Sequence, residues 1–210
     1  MALAGAGTPG LALDTGACLF CGRCQEACPA AAIEFTTDPR LATRRREDLW
    51  VRGKEARLAG ELEERTKRLF GRSLRLRQVS AAGCNGCEAE LNASGNVQFD
   101  LSRFGVQFVA SPRHADGLVV TGPVSENMSE ALRKTWEATP APRLLIAVGA
   151  CAISGGVFAG SPACQGGAAA ALGLPVDLFV PGCPPHPITF LDGLLRLLGR
   201  LTGEVLEQGG

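Results

Sequence analysis

The sequence predicts an α/β protein: a mainly parallel sheet with helices on both faces, preceded by a small cysteine-dense module and a charged helical linker. Three observations predict it. From Leu74 onward, short apolar runs rich in Val, Leu and Ile alternate with amphipathic stretches, the pattern of strands crossing over through helices. Three of those runs end in Gly- or Pro-rich breaks that carry cysteine: Gly83-Cys84-Asn85-Gly86-Cys87-Glu88, Gly149-Ala150-Cys151 and Pro181-Gly182-Cys183-Pro184-Pro185. Ahead of them, Cys18, Cys21, Cys24 and Cys28 crowd together at short spacing.

Each element follows from local pattern. Residues 1–13 are Ala/Gly-rich and expected to be loose. Their Gly5, Gly7 and Gly10 spell GxGxxG, but no strand precedes them and Pro9 interrupts them, so no dinucleotide fingerprint is read there. Residues 14–38 carry the first cysteine set, and 39–56 read as irregular and charged. A helix is expected over 54–70, with Leu58, Leu62, Leu69 and Phe70 near one face and Gly71 as its stop. Leu74–Val79 alternates as a strand, and 88–92 opens a short helix. Further strands are expected at Val106–Ala110, Gly117–Thr121, Arg143–Val148 and Val176–Val180. Glu126–Ala138 reads as an amphipathic helix with Met128, Ala131, Leu132 and Trp136 on one side. Pro187–Leu201 reads as a second, packing Phe190, Leu191, Leu194, Leu195 and Leu198. The expected units are a module over 1–38, a linker over 39–73 and the α/β domain over 74–210.

Composition bounds the function. The chain has 210 residues and is 46% hydrophobic, enough for one medium domain and an appendage. Formal net charge is zero, which argues against a general nucleic-acid binder. Residues 40–77 nevertheless hold thirteen Lys and Arg against six Asp and Glu, a local net of +7. Such a stretch is ordinarily a solvated face, and otherwise a docking surface for an acidic partner or anionic lipid. Met1–Gly10 lacks the charged and apolar regions of a secretory signal. No run of 18 apolar residues is present. Nine cysteines are present, and those in close CxxC spacing are read as metal ligands rather than disulfides.

Ligands in an open parallel sheet collect beyond the carboxyl ends of its strands. Cys84, Cys87, Cys151 and Cys183 all fall in such positions. Four soft thiolates suit a [4Fe–4S] cubane, and also zinc. Structural zinc sites usually pair two CxxC knuckles on small ribbons, whereas here one CxxC joins two distant single cysteines. Buried structural cysteines normally sit inside strands or helices, whereas these follow strands. Glycines 83, 86, 149, 155 and 156 let backbone approach a cluster closely. No Ser–His–Asp arrangement, HExxH or P-loop is found, and His114 and His186 are the two histidines.

The stretch from about Leu74 to Leu198 resembles the cluster-bearing small subunit shared by membrane-bound [NiFe] hydrogenases and, as the 20 kDa subunit, NADH–quinone oxidoreductases. The resemblance rests on the three cysteine strings, on Ser111-Pro-Arg-His-Ala-Asp116, on Gly149 to Gly156 and on Val176 to Pro185. It implies a flavodoxin-like sheet and a [4Fe–4S] cluster on Cys84, Cys87, Cys151 and Cys183. The quinone-reductase branch has adjacent cysteines where this chain has CxxC, which is similar instead to the formate hydrogenlyase and energy-converting hydrogenase branch. A chain that ends soon after its last helix is likewise expected of that branch. The resemblance implies a proton path at Glu88 or Glu90, set against solvated acids in a helix's first turn. It implies Arg113 and His114 near the cluster, set against a surface turn. Cys164 matches no ligand and reads as a plain thiol.

The run Cys18-x2-Cys21-x2-Cys24-x3-Cys28-Pro29 is similar to one half of a two-cluster ferredoxin. In that fold the fourth cysteine ligates the other cluster, and no second run is present. Cys28 completing a local cluster, a partner supplying the missing half, and a degenerate remnant all stay open; a second [4Fe–4S] cluster on these four residues is the reading we favour. The expected protein is an electron-transfer subunit, not catalytic on its own and without nickel. A hydrogenase-like large subunit, other ferredoxin subunits and membrane subunits are its expected partners, at the cytoplasmic face of the membrane. The alternatives are a cluster beside a quinone site and a zinc-stabilised assembly module without redox function.

Overall fold

The computed structural model describes residues 3–5, 11–53, 55–64, 70, 73–202 and 205–207. The N-terminal part holds β1 (Leu3–Gly5), β2 (Leu13–Asp14), α1 (Arg23–Glu26), β3 (Ile33–Phe35), β4 (Trp50–Val51) and β5 (Glu55–Arg57). The α/β part holds β6 (Leu74–Ser80), α2 (Gly86–Ala93), β7 (Val106–Phe108), β8 (Gly117–Thr121), α3 (Glu126–Ala138), β9 (Leu144–Val148), α4 (Ala150–Ser154), α5 (Ala168–Leu172), β10 (Leu178–Val180) and α6 (Pro187–Leu197). A last strand, β11 (Val205–Glu207), returns to the N-terminal part.

Five strands form one parallel sheet in the order β10-β9-β8-β6-β7. Counted along the chain from β6, that order is 2-1-3-4-5, the flavodoxin-like arrangement, whose switch point lies between its first and third strands. Here these are β6 and β8, paired from Leu76↔Gly117 to Ser80↔Thr121. Side chains alternate across the sheet with period two. Leu74, Leu76, Val119, Leu144, Ile146 and Val148 point into one layer with Leu91 of α2 and Phe190 and Leu194 of α6. Val79, Leu118, Val120, Leu145 and Ala147 point into the other, against Leu132 of α3, Ile153 of α4 and Ala168 of α5. β8 and β9 are buried at every position, as their unbroken apolar composition requires.

The helix at Glu126–Ala138 forms over the predicted residues. The last helix stops at Leu197, short of the expected Leu201. The expected helix over 54–70 does not form at its start. Glu55–Arg57 instead pairs antiparallel with β11, and 58–63 is irregular, with Leu58 and Leu62 buried. Leu62 N–H donates to the Leu197 carbonyl at 2.9 Å. Apolar spacing marked the buried residues correctly, but backbone hydrogen bonds to distant partners outweighed the local helical pattern. Glu64 and Phe70 are helical, while Leu69 and Gly71 lie outside the described residues. Nor is the N-terminus structureless, since β1 pairs with β3. Gly7 and Gly10 lie outside the described residues.

The charged stretch after residue 38 is woven into the α/β part. Thr43 and Phe179 exchange both backbone hydrogen bonds, at 3.0 and 2.8 Å, so this segment covers the open edge of β10 and satisfies its polar groups. Ala42 is fully buried, and its Cβ stands 2.5 Å from where a Cβ on Gly193 of α6 would be. That contact yields a signed prediction. Gly→Ala in a helix normally gains about 1 kcal/mol, while overpacking a rigid contact costs about 1–3 kcal/mol. Two Cβ atoms have no rotamer to relieve the clash, so Gly193→Ala lowers the thermal midpoint. An unchanged or raised midpoint would show that 41–43 does not pack on α6.

Candidate iron–sulfur site

The carboxyl ends of β6, β8, β9 and β10 share one rim of the sheet. β6 leads into Cys84 and, through Asn85 at φ 71°, into α2 with Cys87 in its first turn. β9 leads through Gly149 into α4, whose second residue is Cys151. β10 leads into Pro181, Gly182 and Cys183. The last two loops are zipped together: Gly149 N–H donates to the Val180 carbonyl and Ala150 N–H to that of Gly182, both at 2.9 Å.

Glycines let the loops close on the sulfurs. A Cβ on Gly149, at φ +88°, would sit 2.5 Å from Cys87 Sγ, which brings the first and second loops into contact. A Cβ on Gly86 would stand 3.6 Å from Cys84 Sγ and 3.7 Å from Pro184, which joins the first loop to the third. Gly83 and Gly122 touch at the switch point.

The four thiols feel one another. Burial pushes the Cys87 thiol up to about 12, helped by Glu88, Cys151, Cys183 and Cys84. Cys151 is raised by burial and then by Cys183, Cys84 and Cys164. Cys183 is raised by burial and by Cys84. Crowded thiolates would repel one another, so a cationic metal bound here would supply the counter-charge and release the thiol protons. Among the described residues, no three His, Cys, Asp or Glu converge on a single ion. A cubane offers four separate irons with one thiolate each, so its ligands stand farther apart than those of one tetrahedral zinc. One CxxC joined by two single cysteines from separate loops fits a cubane better than the paired knuckles of a structural zinc site. Cys84 and Cys183 are exposed and Cys87 and Cys151 half-buried, which leaves the rim open to a partner.

Glu88 is not a solvated acid. It is buried, and Thr121 Oγ1 donates to its Oε1 at 2.6 Å. Burial alone would raise this carboxyl, but hydrogen bonds from Ser80, Thr121 and its own backbone hold it below the usual range. Thr121 ends β8 at the switch point. A polar residue closing an all-apolar strand was the available signal for this anchor, and sequence reasoning passed over it. Glu90 is half-exposed on α2.

Arg113 and His114 do not join the cysteines. Both are exposed, and they line a pocket with Phe70, Arg75, Asp116 and Pro140–Pro142. Those neighbours precede or begin β6, β8 and β9, so the pair stands at the rim where strands start. The expected placement beside the cluster is corrected accordingly. The reason is topological: β7 is short, and the chain turns back through 112–114 to begin β8. Cys164 approaches Cys151, and its thiol donates to the Pro123 carbonyl.

In the N-terminal part, the Cys18 thiol is raised by burial, with Cys24, Cys21 and Asp14 adding to it. Phe20 N–H donates to Cys18 Sγ at 3.2 Å and Ala32 N–H to Cys28 Sγ at 3.3 Å. Backbone donors aimed at sulfur are a feature of iron–sulfur sites, where they tune potential.

Fold and donor sets together define an iron–sulfur protein of the electron-transfer kind. The pattern described as NADH ubiquinone oxidoreductase, 20 Kd subunit, matches residues 84–197, and that of the 4Fe-4S binding domain matches 11–34. The chain belongs to the 20 kDa subunit family. It is 43% identical over 156 residues to "Probable membrane-bound hydrogenase subunit mbhJ" of Pyrococcus furiosus, covering 71% of this chain and 92% of that one. It is 41% identical over 138 residues to formate hydrogenlyase subunit 7 of Escherichia coli, covering 66% of this chain and 53% of the relative. It is 43% identical to the B-type NADH-quinone oxidoreductase subunit of Citrifermentans bemidjiense, over 56% of this chain and 68% of that one. A solved membrane-bound sulfane sulfur reductase, an archaeal respiratory complex, contains a chain similar to this one. They agree at TM-score 0.54 and 29% identity over 66% of this chain and 75% of that one.

Gly149 tests the site. Gly149→Ala is expected to fold yet lose about four irons per chain, because its Cβ would displace Cys87. Gly173→Ala is the control for positive φ alone: it sits at φ 64°, ψ 30°, an easier left-handed conformation than the φ 88°, ψ 155° of Gly149, with nothing within 4 Å of its Cβ. Iron and sulfide analysis of both proteins reads the outcome; full iron in Gly149→Ala would refute the described loop contact.

Proposed function

We propose that this chain is the iron–sulfur electron-transfer subunit of a membrane-associated [NiFe] hydrogenase or formate hydrogenlyase-like complex. The single observation that carries the reading is the meeting of three cysteine loops on one sheet rim in a chain of this family. Cys84, Cys87, Cys151 and Cys183 would hold a [4Fe–4S] cluster there, and Cys18, Cys21, Cys24 and Cys28 a second. Bound clusters supply one-electron redox chemistry. The chain's own residues supply thiolates, glycine clearance and backbone donors, and they leave one side of the rim uncovered. The large subunit that completes the complex would carry the nickel.

Membrane association would come through partners. Among the described residues no helix is long and apolar enough to cross a bilayer. Attachment at the cytoplasmic face is part of the proposal. Glu88, buried and hydrogen-bonded to Thr121 beside Cys87, and the half-exposed Glu90 two residues on are the candidates for a proton path next to the cluster. The second reading, a cluster beside a quinone, is favoured by the NADH-quinone oxidoreductase relatives; the CxxC of Cys84 and Cys87 weighs against it.

Exposed apolar residues surround the rim. Val157 and Phe158 follow the Cys151 helix, and Ile188 follows the Cys183 loop; they are 64%, 48% and 41% exposed. Apolar side chains gathered beside an open site fit a protein interface.

Two outcomes are expected. Replacing Cys151 by Ala abolishes one reduced-cluster spin signal and the hydrogen-linked activity of the native complex, and nickel in that complex separates the hydrogenase reading from the quinone one. Unchanged activity would defeat the assignment. Phe158→Glu leaves the iron content intact but weakens the hold on the large subunit about tenfold, read by co-purification at several salt concentrations.

A further inference from the structure

The first cysteine set is not tethered loosely to the second. Thr15 is buried, and both its N–H and its hydroxyl donate to the Leu49 carbonyl at 2.9 Å. Leu49 itself sits in the core layer that contains Ile153. Asp14 takes two bonds from the Arg46 guanidinium, at 2.8 and 2.5 Å. It also accepts from Gly16 N–H at 2.9 Å. Two residues before Cys18, the chain is therefore held on three sides.

At that point it meets the helix that carries Cys151. Ser154 Oγ donates to the Gly16 carbonyl at 3.2 Å and to the Ala150 carbonyl at 3.0 Å, so a single proton serves both. Gly156 N–H donates to the same hydroxyl at 3.3 Å, and a Cβ on Gly156 would lie 2.8 Å from Cys151 Sγ. Ser154 thus links the backbone next to Cys18 with the backbone wrapped around Cys151. Gly16 has no room to spare. A Cβ there would stand 2.8 Å from Leu49 Cδ1, 3.0 Å from Ile153 Cγ2 and 3.1 Å from Arg46 Cζ. Its backbone is not left-handed, so clearance rather than conformation calls for glycine at this position.

We propose that the Gly16–Ser154 contact is the joint that holds the two cysteine sets at a fixed separation, so that they work as one electron relay. The proposal rests on the two-cluster reading given above. In each passage one iron–sulfur centre is oxidised by one electron and the other is reduced by one; no proton moves and no bond changes. Gly16 and Ser154 are positioning residues. Packing around Gly16 carries most of the effect, because the Ser154 proton is shared with the helix's own carbonyl.

The test uses the full chain in its native complex. In the wild type, reducing both centres produces a magnetic interaction between their spins. Gly16→Val, which drives methyls against Leu49 and Ile153, keeps about eight irons per chain but loses that interaction and slows electron equilibration between the centres. Ser154→Ala gives a smaller loss in the same direction, and Ser154→Thr, which keeps the hydroxyl, restores the wild-type signal. A merely structural contact would lower the thermal midpoint in both variants without altering the spin interaction, and that result would overturn the joint. Full iron with wild-type coupling in Gly16→Val would overturn it as well. About four irons in the wild type would instead remove the two-cluster reading, and the joint with it.

Discussion

Parallel strands place the carboxyl ends of β6, β8, β9 and β10 on one rim, and that shared direction is the constraint on which the site depends. Cysteines separated by dozens of residues become neighbours because each follows a strand, not because the chain between them is short. The register of β6, β8, β9 and β10 then sets how far each loop stands from the next. Glycine at 83, 86, 122 and 149 removes the atoms that would hold the loops apart. A helical or antiparallel scaffold with the same cysteine spacing would scatter these sulfurs.

The electrostatics follow from that crowding. Burial and the neighbouring thiols raise Cys87, Cys151 and Cys183, so losing those protons is costly until cations arrive. Ser80 and Thr121 keep Glu88 ionised by hydrogen bonds at the strand ends, in effect extending the sheet's own hydrogen-bonding into the site. Exposed Val157 and Phe158 just after the Cys151 helix, and Ile188 just after the Cys183 loop, offer apolar surface suited to being covered by another protein.

The N-terminal part is integrated with this scaffold through particular contacts. Thr43 extends the sheet beyond β10, Ala42 packs into α6, and Leu49 enters the layer beneath α4. Reading 39–73 as a linker came from its charge, since arginines and acids at high density ordinarily mark solvated chain. Its buried residues, Ala42, Leu49, Leu62 and Phe70 among them, are interspersed with charge, and partners such as Phe179, Gly193 and Ile153 lie more than a hundred residues away. No local pattern announces such pairings.

Sequence by itself determined the strands and the long helices of the α/β part, because apolar period and turn chemistry are local properties. It also marked which cysteine loops would meet, since three Gly/Pro breaks after β-prone runs already imply one rim once the strands run parallel. Tertiary structure alone decided the rest. It turned 55–57 from expected helix to strand, buried Glu88 under Thr121, sent Arg113 and His114 to the opposite rim, and set Gly16 against Ser154. Each of these depends on where distant backbone and side chains meet, and only the packed chain specifies that.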